Sequence, residues 1–484
     1  MKNEQENNNN DFKHREYKDM KRINIIKIIV FFGIILVPII NINLKQDQVS
    51  EIDNRMLMNL EDIFKEGDIS YNIERYLDDR IGFRSNMVNV YNNSMDKLFQ
   101  ELVHPSYEYG KDGYIFSKSE KNESNADFQQ VYANFIRGFQ NYCDDRGIKF
   151  LYAVEPRKEE VYPEYIVEGF NYENKDLEYF LTILEENNIN FLNNVETLVN
   201  NKDKALLFDK KYDARHWNET GAIIGISAIL DRLNILDSRV GNFDISKFDQ
   251  EQYINRTLPV SKFPIEEKTI HYKLIDDNSE YISDFENEIK LDEKFGNFTH
   301  YKNDSNKEGP RILIFAGSYF NDKEKFMINN FSEIMQIHNY RNVINYEYYI
   351  NIYNPDIVLF ESTEYTHMNY YFPINEMRNK IYNKDLKSYS SLIQSSFVDI
   401  EESNLIKSDS KLSNFSIPIY SDDVLFAYAY INNRILDCKI KEIDNQKYVE
   451  FSIMTSEIKD TNGLDLYFIS KNEERYQKID FTLD

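Results

Sequence analysis

Apolar residues form one long run near the start of the chain, and its flanks are those of a membrane-spanning helix. Residues 28–40 carry no charged side chain, and the run extends over residues 23–44, about the 20 residues that a spanning helix needs. Residues 1–22 are polar, rich in Asn and basic, which predicts a disordered cytoplasmic tail. We therefore expect a transmembrane signal anchor over residues 23–44, with the rest of the chain outside the cytoplasm.

Two other interpretations of the apolar run stay open. A cleaved signal peptide has an apolar core of similar length, although Asn41–Leu44 offers no small-x-small cleavage site. A buried core helix is also apolar, but it needs no basic flank. The anchor and the signal peptide both predict an extracytoplasmic body, and the anchor makes the protein a single-pass protein of the cell membrane.

Beyond the apolar run, helix-like and strand-like patterns alternate along the chain, which predicts an α/β fold. A mostly parallel sheet covered by helices on both faces produces this alternation, and its ligands bind at the carboxyl ends of the strands. We assign this domain to residues 45–387. The clearest helical patterns are Phe128–Tyr142, Leu177–Glu186 and Glu219–Leu233, and the clearest strands are Ile148–Val154, Arg311–Phe315 and Asp356–Glu361.

Two further segments complete the predicted α/β domain. Residues 240–310 are polar with few long apolar runs, so we expect an irregular insertion there, and a substrate-facing lid is one interpretation of it. After the strand at Arg311–Phe315 the spacing predicts a helix over Lys323–Ile334 and a strand at Met335–His338.

The character of the chain changes from about residue 388. Strand patterns at Val424–Ile431, Lys447–Ile453 and Leu464–Ile469 are separated by Asn-containing turns. These patterns predict a β-rich C-terminal domain over residues 388–484, for which a small β-sandwich is the simplest arrangement.

The composition of the chain argues against several classes of binding partner. The net charge is -25, which argues against nucleic acid because phosphates require a basic face. Cys143 and Cys438 lie far apart and form no metal-ligand or CxxC spacing, so free thiols and a disulfide both stay open. His367 and Glu364 stand without further converging ligands, and we expect neither a metal nor a cofactor.

The candidate chemistry lies in the stretch Tyr212–Ala222, which holds the one Trp of the chain. Asp213 precedes His216 by three residues, so its carboxylate can fold back to orient the imidazole as a base. Ser318 follows a predicted strand and a small residue, Gly317, in the position of an exposed nucleophile. The plain alternatives are that Ser318 caps a helix and that His216 is a packed structural residue.

These motifs resemble the SGNH hydrolase-like superfamily, and within it the alginate O-acetyltransferase (AlgX/AlgJ-like) group and the related DHHW-motif proteins. The resemblance covers about residues 70–365, and its most specific part is His216-Trp217-Asn218 with Gly221-Ala222. Four further stretches are similar to those of the group: Arg80–Arg84, Gly110–Phe116, Glu155–Lys158 with Tyr162–Glu164, and Pro355–Glu361.

The resemblance implies roles for particular residues. Ser318 is the nucleophile, His216 the base and Asp213 the orienting acid, while Arg157, Lys158 and Tyr319 are weaker candidates for substrate contacts. Lys158 has the alternative of an exposed loop charge. The chain departs from the group at two positions, where Ala214 and Gly317 replace residues that are commonly Asp.

The resulting hypothesis is an extracytoplasmic O-acyltransferase that modifies a cell-surface or exported polysaccharide through an acyl-serine, and the resemblance implies that the acyl group is acetyl. The resemblance also implies a membrane-bound acyl-donating acyltransferase as partner. A carbohydrate esterase uses the same residues, and a non-catalytic polysaccharide-binding scaffold is the third hypothesis.

Overall fold

The structure of the protein is a computed structural model that describes residues 2–44, 49–50, 55–64, 68–104, 106–118, 125–168, 175–259, 263–284, 286–380, 393–394, 405–406, 411–419, 424–458, 463–470 and 474–480. The chain divides into two compact units. The first comprises Met1–Lys118, Lys210–Asp213 and Ile254–Lys268, and the second comprises Ser119–Asp209, Ala214–Tyr253 and Thr269–Asp484. The expected boundary at residues 387–388 lies outside the described residues.

The α-helices are, in chain order, α1 (Lys2–Ile40), α2 (Ile69–Arg80), α3 (Arg84–Phe99), α4 (Ala126–Asp145), α5 (Lys158–Val161), α6 (Lys175–Glu186), α7 (Asn194–Val199), α8 (Glu219–Leu236), α9 (Tyr346–Tyr353), α10 (Ile374–Asn379) and α11 (Thr455–Ile458).

The strands of the α/β part and its surroundings are β1 (Val49–Ser50), β2 (Arg55–Met56), β3 (Tyr107–Tyr109), β4 (Ile115–Ser117), β5 (Lys149–Glu155), β6 (Phe191–Asn193), β7 (Phe248–Thr257), β8 (Pro264–Leu274), β9 (Ser279–Tyr281), β10 (Phe298–Asn303), β11 (Arg311–Ala316), β12 (Glu333–His338) and β13 (Ile357–Thr363). The C-terminal strands are β14 (Ile393–Gln394), β15 (Leu405–Ile406), β16 (Leu412–Ile419), β17 (Val424–Ile431), β18 (Arg434–Ile443), β19 (Gln446–Met454), β20 (Gly463–Ser470) and β21 (Glu474–Asp480).

Helix α1 carries the apolar run identified in the sequence. Its segment Met20–Ile39 is 20 residues long with a mean hydropathy of 2.2, which is enough to cross a membrane, and a signal sequence has the same properties. The helix begins at Lys2, so it includes the tail for which the polar composition predicts disorder.

The central sheet of the second unit confirms the α/β prediction. Its strand order is β6-β5-β13-β11-β12-β10-β9, in which the first five strands are parallel and β10 pairs antiparallel with both β12 and β9. The inner strands β5, β11 and β13 are the apolar runs of the sequence, and nearly all their residues are buried. Helices α4 and α9 pack beside the sheet, where the rings of Phe139 and Tyr346 stack with centroids 4.1 Å apart.

The prediction of an irregular insertion over residues 240–310 is wrong. This segment contains β7, β8, β9 and β10, and β10 joins the central sheet antiparallel to β12. Most residues of β7 are exposed, so this strand has no need of the long apolar run that marks a buried strand.

The helix expected over Lys323–Ile334 is also absent. The segment forms short 3₁₀ turns at Glu324–Phe326 and Ile328–Asn330, and then strand β12. The side chain of Asn303 donates to the carbonyl of Ile328 at 2.9 Å. The same carbonyl also accepts from the N–H of Phe331 at 3.3 Å, which closes a 3₁₀ turn rather than an α-helical one.

The C-terminal residues form the β-rich region that the sequence predicts. Its strand order is β14-β21-β20-β17-β18-β19-β16-β15. Strand β18 pairs with β17 through residues 434–438 and with β19 through residues 439–443, so it joins two halves of the sheet. Both halves contribute alternate residues to one apolar core, as in a β-sandwich. The core includes Phe415, Ile417, Ala427, Ala429, Val449, Phe451, Leu466 and Phe468.

Asp437 of β18 links this region to the α/β part of the second unit. Its carboxylate accepts from the Tyr142 hydroxyl and from the Arg146 guanidinium, each at 2.6 Å. Its main chain exchanges two hydrogen bonds with the side-chain amide of Asn351. The Arg146 side chain is only 10% exposed, so its charge depends on this carboxylate.

Both cysteines are free thiols, of which Cys143 is buried and Cys438 is half-buried. Of the two alternatives left by the sequence, the structure therefore supports the free thiols.

We predict that Asp437→Ala lowers the free energy of unfolding by about 2–4 kcal/mol, because it leaves the Arg146 charge buried without its carboxylate. Urea unfolding measures the change. Lys441→Ala is the matched control, since Lys441 forms an exposed pair with Glu450 at 3.7 Å, and it should cost less than about 1 kcal/mol. Equal effects of the two substitutions would contradict the assignment.

Candidate active site

Ser318 lies at the carboxyl edge of the central sheet. It opens a 3₁₀ turn, Ser318–Phe320, directly after β11, and β11 lies between β13 and β12. Because parallel strands end at a common edge, this position is where α/β sheets present their ligands. The side chain of Ser318 is half-buried and therefore accessible in part.

His216 contacts Ser318 although 102 residues separate them. The distance between Nε2 of His216 and Oγ of Ser318 is 2.8 Å, and His216 is also half-buried. This distance permits direct proton transfer from the hydroxyl to the imidazole. The transfer requires Nε2 without a hydrogen, so the neutral tautomer with hydrogen on Nδ1 is the active one.

Trp217 and Tyr319, the residues next to this pair, hold the two loops together. The indole N–H of Trp217 donates to the carbonyl of Tyr319 at 3.0 Å. The Tyr319 hydroxyl lies 2.6 Å from the carbonyls of Pro156 and Arg215, and it donates its single hydrogen to one of them at a time. These contacts fix the backbone on either side of His216 and Ser318.

The glycines of the motif make room for this arrangement. Asn218 caps α8 by accepting from the N–H of Gly221 at 2.9 Å. A Cβ on Gly221 would lie 2.2 Å from the Leu207 carbonyl, and a Cβ on Gly225 would lie 2.3 Å from the Trp217 ring. The spacing Trp-x₃-Gly-x₃-Gly therefore lets the indole lie flat against α8.

A buried carboxyl group supports the residue before the nucleophile. Glu361 of β13 accepts from the Gly317 N–H at 2.7 Å and is 1% exposed. Burial raises the pKa of Glu361 to about 8, so the group is largely protonated at neutral pH. Glu155, at the end of β5, is equally buried, and burial and the charge of Glu361 raise its pKa well above the usual range.

The backbone N–H of Ser318 is a candidate hydrogen-bond donor for a substrate. It lies at the start of the 3₁₀ turn after β11. Within the described part of the chain, no group accepts this N–H. It is therefore available to an oxygen atom beside Oγ of Ser318.

The other residues proposed from the sequence lie in different environments. Lys158 is fully buried and donates to the Asp209 carbonyl at 2.6 Å, so it is not an exposed loop charge, and its substrate contact stays a prediction. Tyr319 is 2% exposed and braces the loops, and its substrate contact also stays a prediction. Arg157 is 26% exposed at the side chain beside Glu160 and Glu364. Asp213 belongs to the first unit and His216 to the second, and its orienting role stays a prediction.

The structure also contains a second Ser–His pair that the sequence did not indicate. Oγ of Ser362 lies 2.9 Å from Nε2 of His367, but both residues are buried, and so is Glu364. Burial lowers the pKa of His367 to about 3. This pair is packed among Tyr132 and Tyr152 and has no access to a substrate.

An aromatic surface lies beside Ser318 at the end of β12, and sequence analysis missed it. We define it by Phe295, His338, Tyr340, Tyr370 and Tyr371, whose neighbouring ring centroids lie 4.1–5.9 Å apart. A Cβ on Gly317 would lie 3.7 Å from the Tyr340 hydroxyl, so the surface begins next to the nucleophile.

The turn that forms this surface is strained. Arg341, which follows Tyr340, has a positive φ of 59°, and its N–H donates to the Tyr371 carbonyl at 2.9 Å. A non-glycine residue in this conformation costs about 1 kcal/mol or more, and such strain concentrates at functional sites. The guanidinium of Arg341 lies 5.5 Å from the centre of the Tyr370 ring.

A Ser–His pair at the carboxyl edge of a mixed sheet, flanked by helices, defines an SGNH hydrolase-like α/β domain. Residues 108–257 match the family model described as the SGNH hydrolase-like domain of the acetyltransferase AlgX. The resemblance to the alginate O-acetyltransferase group is thereby confirmed for this segment. A search of curated proteins found no match.

Several solved structures are similar to this chain. PatB1 of Bacillus cereus has 15% identity and a TM-score of 0.44, covering 53% of this chain and 95% of PatB1. The O-acetyltransferase domain of Pseudomonas putida AlgJ has 16% identity and a TM-score of 0.40, and the match covers 57% of this chain and 99% of that domain. Pseudomonas aeruginosa AlgX has 12% identity and a TM-score of 0.37, covering 77% and 90%.

We predict that the buried carboxyl group of Glu361 makes stability fall as the pH rises. Its pKa is higher in the folded protein, about 8, than the ordinary value of 4.5, so the folded state binds more protons between these values. The stabilisation is complete below about pH 4.5 and is lost towards about pH 8, with a slope of at most about 1.4 kcal/mol per pH unit for this group. Glu361→Gln removes this contribution because an amide does not ionise.

Urea unfolding of both proteins across this pH range measures the slopes. Glu333→Gln is the control, because hydrogen bonds from His300 and Arg311 outweigh burial and lower the pKa of Glu333. Its ionisation is complete in this range, so the pH slope should stay that of the unsubstituted protein. An unchanged slope in Glu361→Gln would refute the assignment.

Proposed function

We propose that this protein is an extracytoplasmic O-acyltransferase, specifically an O-acetyltransferase, that acts on a cell-surface or exported polysaccharide. The observation that carries the proposal is the 2.8 Å contact between His216 and Ser318 at the accessible edge of the sheet. The match of residues 108–257 to the AlgX acetyltransferase domain supports acetyl as the transferred group.

The reaction has two steps in this proposal. Oγ of Ser318 attacks the acyl carbonyl of the donor while His216 takes the hydroxyl proton, and the leaving group then departs with that proton. A sugar hydroxyl next attacks the acyl-serine and gives its proton to His216, which returns it to Oγ of Ser318. Asp213 orients the imidazole, and the N–H of Ser318 donates to the oxyanion of each tetrahedral intermediate.

The proposed location determines the source of the acyl group. Helix α1 anchors the protein in the cell membrane with a single span, and the second unit lies outside the cytoplasm. Because activated acetyl groups are made inside cells, a membrane-bound acyltransferase is the partner that delivers them. The carbohydrate esterase alternative differs only in the acceptor, which is water.

The aromatic surface is the proposed site of the acceptor sugar. Rings packed at an open edge beside the nucleophile offer flat apolar faces to the C–H groups of a pyranose. Tyr370 is 50% exposed and provides the most accessible of these faces. Arg157, between the ends of β5 and α5, is the further candidate for a substrate contact.

We predict that a fluorophosphonate probe labels the full chain at Ser318. Labelling should disappear in Ser318→Ala and fall steeply in His216→Ala, because a serine hydroxyl without its base is a poor nucleophile. Acetyl transfer by Ser318→Ala should fall by about a thousandfold or more. Mass spectrometry identifies the labelled residue, and acetylated oligosaccharide reports transfer.

Ser362→Ala is the matched control for labelling, since it removes the serine of the buried Ser–His pair. It should be labelled like the unsubstituted protein. If Ser318→Ala were labelled as strongly as the unsubstituted protein, catalysis by Ser318 would be contradicted. The polysaccharide-binding scaffold would then be the remaining hypothesis. Release of free acetate in preference to transfer would support the esterase.

We predict that Tyr370→Ala raises the KM for an oligosaccharide acceptor by about three- to tenfold, the equivalent of about 0.6–1.4 kcal/mol, with little change in labelling of Ser318. Tyr281→Ala is the control, because Tyr281 of the edge strand β9 is 42% exposed and packs on Tyr301 of β10, outside the aromatic surface. Steady-state transfer rates at varied acceptor concentration measure the effect. The same KM in both variants would exclude the aromatic surface as the acceptor site.

A further inference from the structure

Helices α2 and α3 of the first unit expose a row of apolar residues and bury several polar ones. On α3, Phe83, Met87, Val90, Tyr91 and Leu98 are 39–73% exposed. Their spacing of three, four and seven residues places them on one face of the helix. This face is the reverse of that of an ordinary surface helix, which turns such residues inward.

The opposite side of α3 is polar and buried. Asn92 is 3% exposed, and the side-chain oxygens of Asn89 and Asn92 have no hydrogen-bond partner in the described part of the chain. Unsatisfied buried amides cost free energy, so the orientation of α3 is unfavourable in water. An apolar environment on the exposed side would offset that cost.

Helix α2 repeats the pattern. Ile69, Ile73 and Leu77 follow one another at four-residue spacing and are 43–58% exposed. Asp79 and Arg80 are buried, and the Arg80 guanidinium donates to the Met58 carbonyl at 2.8 Å.

The turn between the two helices is bonded to the end of α1. The N–H of Gly82 donates to the Pro38 carbonyl at 2.9 Å, and the N–H of Asn43 donates to the Arg80 carbonyl at 3.1 Å. A Cβ on Gly82 would lie 2.4 Å from the Asn41 carbonyl, so only glycine permits this approach. Pro38 belongs to the apolar segment Met20–Ile39, so the turn lies at the level where this segment ends.

Phe83 directly follows this turn, and its conformation is strained. It begins α3 with a positive φ of 56° and is 41% exposed. A bulky residue rarely adopts this conformation, so the backbone holds the phenyl ring outward at a cost. Tyr91, on the same face, is of a type that concentrates at the boundary between the lipid tails and water.

We propose that the exposed faces of α2 and α3 rest on the outer leaflet of the lipid bilayer that α1 spans. The structure favours the bilayer as the occupant of these faces. The Gly82 N–H is hydrogen-bonded to Pro38 near the end of the segment Met20–Ile39, so a bilayer spanned by that segment would end beside the α2–α3 turn. The inference rests on the proposed anchoring by α1. The α2–α3 pair then binds the interface in the manner of an in-plane amphipathic helix, and it limits the tilt of the first unit at the membrane surface.

Tryptophan quenching in bilayers of brominated phosphatidylcholine tests the proposal on the full chain. Trp217 is 4% exposed and supplies a constant background, so a second Trp can be introduced at chosen positions. We expect Val90→Trp and Leu98→Trp to lose emission in the brominated bilayers, relative to unbrominated ones, to an extent comparable with Phe32→Trp in α1. Glu74→Trp, on the exposed polar side of α2, should lose none beyond the unsubstituted chain.

The possible outcomes distinguish a failure of the lipid contact from a failure of the membrane anchor or of the enzymatic proposal. Quenching at Phe32→Trp without quenching at Val90→Trp and Leu98→Trp overturns the contact with lipid and leaves the anchor intact, as it would if a protein partner covered this face. Absence of quenching at Phe32→Trp overturns the anchor and the inference together. Fluorophosphonate labelling of Ser318 in the same samples reports the enzymatic proposal independently and confirms that each variant is folded.

Discussion

The contact between His216 and Ser318 depends on the hydrogen bonds that join their neighbours. The Trp217 indole and the Tyr319 hydroxyl connect the loop before α8 to the turn after β11, which are 102 residues apart. Without such bonds the two loops would lose their relative position to chain entropy. Because the bonds lie behind the reacting atoms, they hold the geometry and leave the front of the pair open to a substrate.

The support continues one layer deeper into the sheet. Glu361 fixes Gly317, and Glu155 lies close enough for the two carboxyl groups to affect each other's protonation. Asn194 contacts both oxygens of Glu155 at 3.0 Å. In this chain a carboxyl group on β13 bonds the backbone of Gly317, the residue before Ser318.

The parts of the fold that the sequence predicts are those that leave a local pattern of residue types. The apolar runs of β5, β11 and β13 are buried strands, and Asn218 caps α8, because burial and capping leave local patterns. The strands β7–β10 were missed because exposed or edge strands have no long apolar run. The helix after Ser318 was predicted from apolar spacing, which does not show that Asn303 bonds a carbonyl in that segment.

The candidate site was predictable to a similar degree. His216 and Ser318 stand in motifs, and the structure brings them together. Lys158 and Tyr319 have polar groups that suggest a substrate, but backbone carbonyls far along the chain bond them inside the protein. The aromatic surface could not be predicted from the sequence, because Phe295, Tyr340 and Tyr370 come from separate loops that become neighbours only in the folded protein.

The ends of the central sheet have a consequence for self-association. Its outermost strands, β6 and β9, are each three residues long, and Glu280 carries a charge in the middle of β9. Short, charged edge strands offer another chain few backbone groups for pairing, which suppresses amyloid-like stacking. Such edge strands keep collisions between copies of the protein from becoming permanent aggregates.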